Sequence, residues 1–179
     1  LIASYWGGTN VQSWMTNEVF ENNAELKKLA DDTKPVNWAP TEPSVIYNSM
    51  LHPLVNYSIA GAIWYQGEGN TGEPQNYGKL FEGLIKGWRK AFDKEFPFYF
   101  VQIAPWNGYW KNSAAYLREQ QASVLSLPKT GMISVGDLVD DISDIHPRIK
   151  KEVGNRLVNL ALKEHYGVEG LQPYFPKYQ

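Results

Sequence analysis

No cysteine occurs among the 179 residues, which excludes disulfides, cysteine nucleophiles and thiolate metal sites. It leaves the compartment open, since an oxidising environment permits disulfides without requiring them. Charge imbalance is missing too: 17 Lys and Arg against 19 Asp and Glu leave a formal net charge of −2. That balance gives no electrostatic reason to expect nucleic acid or an anionic membrane as partner. No run of about twenty apolar residues exists, so no helix is expected to span a membrane. No signal peptide is recognisable at the start. The opening Leu1-Ile2-Ala3-Ser4 lacks Met and reads like the end of a buried strand, so the chain is expected to begin inside a domain. Histidine is scarce, with three in all.

What the chain does have is a normal apolar content of 43% and a length that fits one domain with a proper core. Aromatics are abundant, with seven Trp and eleven Tyr. Many must be core, and exposed ones make platforms for sugar rings. There are no internal repeats and no low-complexity tracts.

The stretch Ala62-Ile63-Trp64-Tyr65-Gln66-Gly67-Glu68-Gly69-Asn70 organises the rest. Its first half is a short apolar run of buried-strand type, and its second half turns abruptly to amides, a carboxylate and glycines. In open α/β folds ligands bind just outside the carboxyl ends of parallel strands, where such a polar cluster would sit. Taken alone, Gly67-Glu68-Gly69-Asn70 reads equally well as a plain turn.

Other segments fit the same scheme. Trp6-Gly7-Gly8-Thr9 after the first apolar residues is a tight loop whose N–H groups can face inward, or an ordinary strand-to-helix turn. Residues 17–30 read as a weakly patterned helix, and 31–43 as a proline-containing loop. Ser44 is expected to cap a helix to about Asn56, bent at His52-Pro53, with His52 structural. Pro74 fits a first helical turn, and Tyr77, Leu80, Phe81, Leu84, Ile85, Trp88 and Phe92 form one wide apolar face. Phe96–Ile103 (FPFYFVQI) is the near-continuous apolar run of a strand buried on both faces. At its end, Trp106, Tyr109 and Trp110 either pack down as a lid or line a cleft. A helix over 114–127, a strand over 131–135 and a helix from Pro147 to about His165, stopped by Gly167, complete the pattern. Strands alternating with amphipathic helices predict right-handed βαβ units, hence an α/β fold with a parallel sheet between helical layers.

Chemistry-bearing residues cluster after the last strand, where Asp137, Asp140, Asp141 and Asp144 precede His146-Pro147. A solvated acidic loop is one reading. A metal site is another, but the spacing lacks the alternate ligands and central glycine of a calcium loop, and zinc would want more histidines. The third reading is an acid–histidine pair, with Asp144, or else Asp141, orienting His146 to take a proton from a nucleophilic hydroxyl. On that reading the Gln66 amide and backbone N–H groups around Gly7-Gly8 would be oxyanion donors.

Five segments then carry a resemblance: Tyr5-Trp6-Gly7-Gly8-Thr9, Tyr47-Asn48-Ser49-Met50-Leu51-His52-Pro53-Leu54, Trp64 to Asn70, Pro97 to Ile103, and Asp144-Ile145-His146-Pro147 with Lys150, Gly154 and Arg156-Leu157. In this order and spacing they resemble the sialate O-acetylesterase family of SGNH/GDSL-type hydrolases, over nearly the whole chain. The resemblance implies a three-layer α/β/α sandwich, flavodoxin-like, and a Ser-His-Asp carbohydrate O-acetylesterase acting on sialate or another acetylated sugar. It implies no metal, no cofactor, and a secreted or periplasmic location. Carried over, His146 is the catalytic histidine and Asp144 its acid. Gln66 falls in the oxyanion amide block and Gly7 or Gly8 in the backbone-donor block. Trp106, Asn70 and Arg148 are the substrate-binding candidates. Glu68 would be a buried structural carboxylate bonding neighbouring backbone.

One departure is large. The family's nucleophile lies in a Gly-Gln-Ser-Asn-Met-type motif upstream of the Trp-Gly-Gly-Thr block, and no such motif occurs here; Ser4, Ser13, Ser44, Ser49 and Ser58 stand in other contexts. Residues 1–179 are therefore expected to be a single incomplete catalytic domain, without its first strand and nucleophile segment, which would reside in a separate chain or upstream piece. The fragment alone is expected to be inactive and to leave a strand edge unpaired. The alternative is a non-catalytic SGNH-like sugar-binding or interaction domain, which an upstream Gly-Gln-Ser-Asn motif would argue against. A metal-dependent hydrolase would instead lose activity with chelators.

Overall fold

Phe98 to Val101 forms the middle strand, and its alternation explains the architecture. In this computed structural model, which describes residues 1–174, strands β1 (Ala62–Trp64), β2 (Phe98–Val101) and β3 (Thr130–Ile133) run parallel in the order β1-β2-β3. Ala62 pairs with Phe98 and Trp64 with Phe100, while Phe98 and Val101 pair with Thr130 and Ile133. All four β2 residues are buried, as the unbroken apolar run predicts for a strand covered on both faces.

Successive side chains point to opposite faces. Trp64, Phe98 and Phe100 meet Phe81 and Trp88 of helix α3 (Tyr77–Ala91), with ring centroids 5.0–6.3 Å apart. Each such fully buried ring contributes about 1.5–3 kcal/mol over leaving it exposed. Tyr99, Val101 and Ile133 face the other way, onto Val153 and Leu160 of helix α5 (Lys150–Glu164). The result is helix, sheet, helix: an α/β fold in three layers. Helices α1 (Asn17–Glu21), α2 (Ala24–Asp31) and α4 (Ser113–Ser123) share the α3 side through Phe20, Leu26 and Leu117. Among the described residues β1 pairs with β2 alone, and Ile63 on it is 62% exposed. The α5 layer therefore does not reach over that edge.

Several boundaries differ from the sequence reading, for local reasons. The expected helix over 17–30 is two, because the Asn23 side chain accepts the Leu26 N–H at 3.0 Å and starts a new helix. Ser44 does not cap: it sits at φ +63° with its hydroxyl buried and unpartnered, and the segment forms a π turn at Tyr47–Leu51 followed by a 3-10 turn at His52–Leu54. His52 is exposed and edges against the Tyr47 ring at 6.0 Å. Leu1–Tyr5 forms no strand among the described residues and is largely exposed. α5 begins at Lys150, three residues after Pro147, and ends where Gly167 at φ +69° lets Val168 N–H bond Leu162 O at 2.9 Å.

Candidate active site

Beyond the carboxyl end of β1 the chain leaves Trp64 into Tyr65-Gln66, and the Gln66 side chain is fixed on every atom. Its Nε2 donates to Thr9 O and to Asn70 Oδ1, both at 2.9 Å, and its Oε1 accepts from the Tyr77 hydroxyl at 2.9 Å. The amide cannot be turned over, because Thr9 O accepts only and Asn70 Oδ1 already accepts the Val11 N–H at 2.9 Å. Gln121, wholly buried on α4, donates to the Gln66 carbonyl at 3.1 Å and accepts from Ile103 N–H at 2.9 Å, tying this loop to the end of β2.

The Trp6–Thr9 turn approaches from the N-terminal side. Thr9 Oγ1 donates to Trp6 O at 2.8 Å and accepts from Trp14 Nε1 at 2.9 Å, and Gly8 takes φ +74°, a left-handed value glycine tolerates best. Trp38, 68% exposed, lies against Gly8: a Cβ there would stand 3.1 Å from the indole nitrogen. No hydrogen bond ties up the N–H of Gly7 or Gly8 among the described residues.

The third wall is the loop after β3, built from two consecutive Asx turns. Asp141 Oδ1 accepts Ser143 N–H at 2.9 Å and its hydroxyl at 2.6 Å. Asp144 Oδ1 accepts His146 N–H at 2.8 Å and lies 3.3 Å from His146 Nδ1. These bonds hold both carboxyls below the usual range, Ser143 acting chiefly on Asp141 and the His146 backbone N–H chiefly on Asp144. Of the two aspartates left open by the sequence, Asp144 is the one beside the ring. The Nδ1–Asp144 contact leaves Nε2 for the cleft, the orientation a proton-transferring histidine needs. Asp137 is clamped by Arg156, with Nη1 2.7 Å from Oδ1 and Nη2 2.5 Å from Oδ2. Among the described residues, no three His, Asp or Glu side chains come together as a metal-binding group.

These walls enclose a cleft of about 650 Å³ lined by Gly7, Gly8, Gln66, Glu68 and His146, among others. Asn70 lies behind it, bonded to Gln66. Trp106 and Arg148 are outside the lining. Trp106 folds down, edge-on to Tyr109 at 5.1 Å, and its indole N–H donates to Ser143 O at 3.1 Å. With Asn107 N–H on Ile142 O at 2.9 Å, this loop braces the one that carries His146. Arg148 is exposed, its Nη2 3.8 Å from Asp141 Oδ2.

Residues assigned no catalytic or binding role from the sequence complete the site. Lys150 lines the cleft, its ammonium 5.3 Å from the Tyr65 ring centre. Glu68 is half-buried, and burial raises its carboxyl above the usual range despite the pull of its own backbone N–H, Lys150 and His146. Burial, with the Glu68 charge, pushes the Tyr65 hydroxyl up to about 12. No periodicity marks Tyr77 or Gln121 as site residues; only proximity to motif residues in the fold does so, and the motif that includes Lys150 gives it no role.

The family model described as carbohydrate esterase, sialic acid-specific acetylesterase, matches residues 1–163. The chain is 30% identical to the sialate O-acetylesterase of Rattus norvegicus and 32% identical to that of Homo sapiens, in each case over 96% of its own length. It spans 40% of the rat protein and 36% of the human one. A crystal structure of a carbohydrate acetylesterase from Xanthomonas citri superposes with a TM-score of 0.77 at 33% identity, over 92% of this chain and 36% of that one.

Proposed function

The chain belongs to the sialic acid-specific acetylesterase family of carbohydrate esterases, and on that footing we propose that it supplies the histidine, acid and oxyanion parts of a carbohydrate O-acetylesterase. The observation that carries this is the convergence of Gly7, Gly8, Gln66 and His146, from three distant segments, on one cleft, with Asp144 on the far nitrogen of the histidine.

In this reading a serine hydroxyl attacks the acetyl carbonyl, and His146 Nε2 takes its proton. Asp144 stabilises the imidazolium, and the Gly7 and Gly8 N–H groups with the Gln66 amide hold the oxyanion. His146 then gives its proton to the departing sugar oxygen as the bond to the acetyl carbon breaks, releasing the sugar hydroxyl, and water repeats the sequence on the acetyl-enzyme. The serine comes from an upstream segment, whose strand adds to the open edge of β1; the one-sided pairing of β1 and the exposure of Ile63 support that placement. The present chain alone turns over no ester. The substrate class is sialate or another acetylated sugar, and the location is secreted or periplasmic.

The test is to express these residues with their natural upstream sequence and measure acetate release from acetylated sugars, with His146→Ala beside it. Activity that needs the upstream part and collapses in the variant upholds the reading. A whole protein that binds sugars but releases no acetate overturns it in favour of a binding module, and esterase activity from the isolated chain overturns the split of the triad.

A further inference from the structure

Gln66 presents a difficulty for any oxyanion role, because both protons of its amide are engaged, one by Thr9 O and one by Asn70 Oδ1. The other half of the proposed oxyanion site, the Gly7–Gly8 turn, is bound to the same group. Thr9 O belongs to that turn, and Asn70 Oδ1 also accepts the N–H of Val11, two residues further on, at 2.9 Å. Asn70 Nδ2 donates to Gln12 Oε1 at 3.0 Å, and Gln12 in turn bonds Thr33 through its Nε2. A second, independent feature presses the same two loops together. A Cβ at Gly69 would lie 2.6 Å from Thr9 O and 3.2 Å from Gly8 O, so the backbones touch where only glycine fits.

We propose that Asn70 is a positioning residue that locks the Gln66 amide to the Gly7–Gly8 turn, so that the two sets of oxyanion donors act as one rigid unit. This rests on the esterase reading above. Asn70 makes no contact with substrate in this role. Its Oδ1 is a shared acceptor for one donor from each loop, and its Nδ2 anchors it to Gln12. With the acceptor present, the Gln66 NH2 group is held by two bonds besides the one that Tyr77 makes to Oε1, and a substrate oxyanion need only replace one of the two; the other keeps the donor aimed. Without it, an oxyanion that displaces the Thr9 bond leaves the amide held by the Tyr77 hydroxyl alone, and the Val11 N–H loses the partner that holds the turn in register.

The chemistry of the shared atom makes a sharp test. Both groups that address Oδ1 are donors, so a carboxylate at this position serves them as well as an amide does. Gln12 can answer a carboxylate by turning its own amide over, since the Thr33 hydroxyl it bonds can donate as readily as accept. Asn70→Asp therefore keeps the lock, whereas Asn70→Ala removes it.

The experiment measures kcat and KM for acetate release by the whole natural protein as wild type, Asn70→Ala and Asn70→Asp. It adds hydrogen exchange over the peptide spanning residues 7–14. Asn70→Ala is expected to lower kcat by about 10- to 100-fold, less than the 10²–10³ that deleting an oxyanion donor outright costs. KM should change by no more than about threefold, as expected for an interaction expressed in the transition state. Exchange at Val11 should rise. Asn70→Asp should return kcat to within about threefold of wild type, with Val11 protected again. A role confined to stability would instead leave kcat of the folded fraction unchanged in Asn70→Ala, and that result overturns the proposal. A substrate-binding role would raise KM in both variants, which also overturns it. Wild-type protein without acetylesterase activity overturns the esterase reading itself and this inference with it; active wild type with an unaffected Asn70→Ala overturns the inference alone.

Discussion

One carboxylate oxygen of Asp144 serves two atoms of His146: Oδ1 accepts the backbone N–H at 2.8 Å and faces ring Nδ1 at 3.3 Å. The backbone bond is the shorter, so the turn rests chiefly on it, and the same oxygen faces the ring. The His146 side chain is 86% exposed, which screens the charge of the pair.

Asp144→Asn separates these two functions. The amide oxygen can still accept the backbone N–H and keep the turn, but the charge opposite the imidazolium of the proposed mechanism is gone. We expect kcat of the whole enzyme to fall by about 10- to 100-fold, less than in buried triads because of the screening. Asp141→Asn should cost less, since Asp141 bonds Ser143 and not the ring. Steady-state kinetics of both variants decide it, and an unchanged kcat in Asp144→Asn would reduce Asp144 to a turn-former.

Glu68 makes a prediction about pH. Burial raises its carboxyl above the ordinary value of 4.5 in spite of Lys150 and His146. The folded state therefore keeps this proton longer than the unfolded chain does, and protonation favours folding. Its contribution to stability falls as pH rises from the ordinary carboxylate range through the raised folded value, then levels off. Glu68→Gln removes that slope. Denaturation of wild type and variant across about pH 4–8 should show the variant gaining on wild type as pH rises. A variant less stable than wild type at the upper end would mean that the Lys150 and His146 charges outweigh the burial.

The architecture was legible where pattern and length agree. Phe96–Ile103 reads as a doubly covered strand and holds one at Phe98–Val101, and the apolar α3 face from Tyr77 to Trp88 lies on it. What escaped was set by side-chain hydrogen bonds that periodicity does not encode. Asn23 splits a helix with one bond to Leu26, and Ser44 takes a left-handed backbone conformation because its N–H pairs with Gln12 O, 32 positions away. The candidate site follows the same division. Motif spacing singled out Gln66, Gly7, Gly8 and His146, but that both Gln66 protons are engaged depends on Thr9 and Asn70, which only the folded chain brings to it. Tyr77 carries no sequence signal as a site residue, and Lys150 carries only its place in the His146 motif, with no role attached.

Arg156 anchors the start of the His146 loop to α5. Its fork meets both oxygens of Asp137, and Nη1 also bonds Ser134 O at 2.8 Å, just past the end of β3. The contact with Arg156 is what chiefly holds Asp137 below the usual carboxyl range. A lysine ammonium keeps the charge but cannot bridge a carboxylate in two places and reach a carbonyl at once. Arg156→Lys should lower stability by about 1–2 kcal/mol, read by chemical denaturation near neutral pH. Equal stability would show that charge alone suffices there.

Gly69 and Gly72 sit three residues apart in the same polar loop and should behave oppositely. A methyl group at Gly69 would press on Thr9 O at 2.6 Å and Thr9 C at 3.0 Å, both backbone atoms that cannot swing aside. At Gly72 nothing lies within 4 Å. Gly69→Ala must therefore push the Glu68–Asn70 turn away from the Gly8–Thr9 peptide, at a cost of about 1–3 kcal/mol as for other overpacked sites. Because that displacement also separates Gln66 from Thr9 O, kcat should drop further than the loss of folded protein explains. Gly72→Ala should stay within about 0.5 kcal/mol of wild type. Thermal melts and kcat on both variants make the comparison. If the two alanines behave alike, the close approach of the two loops is not what sets their geometry.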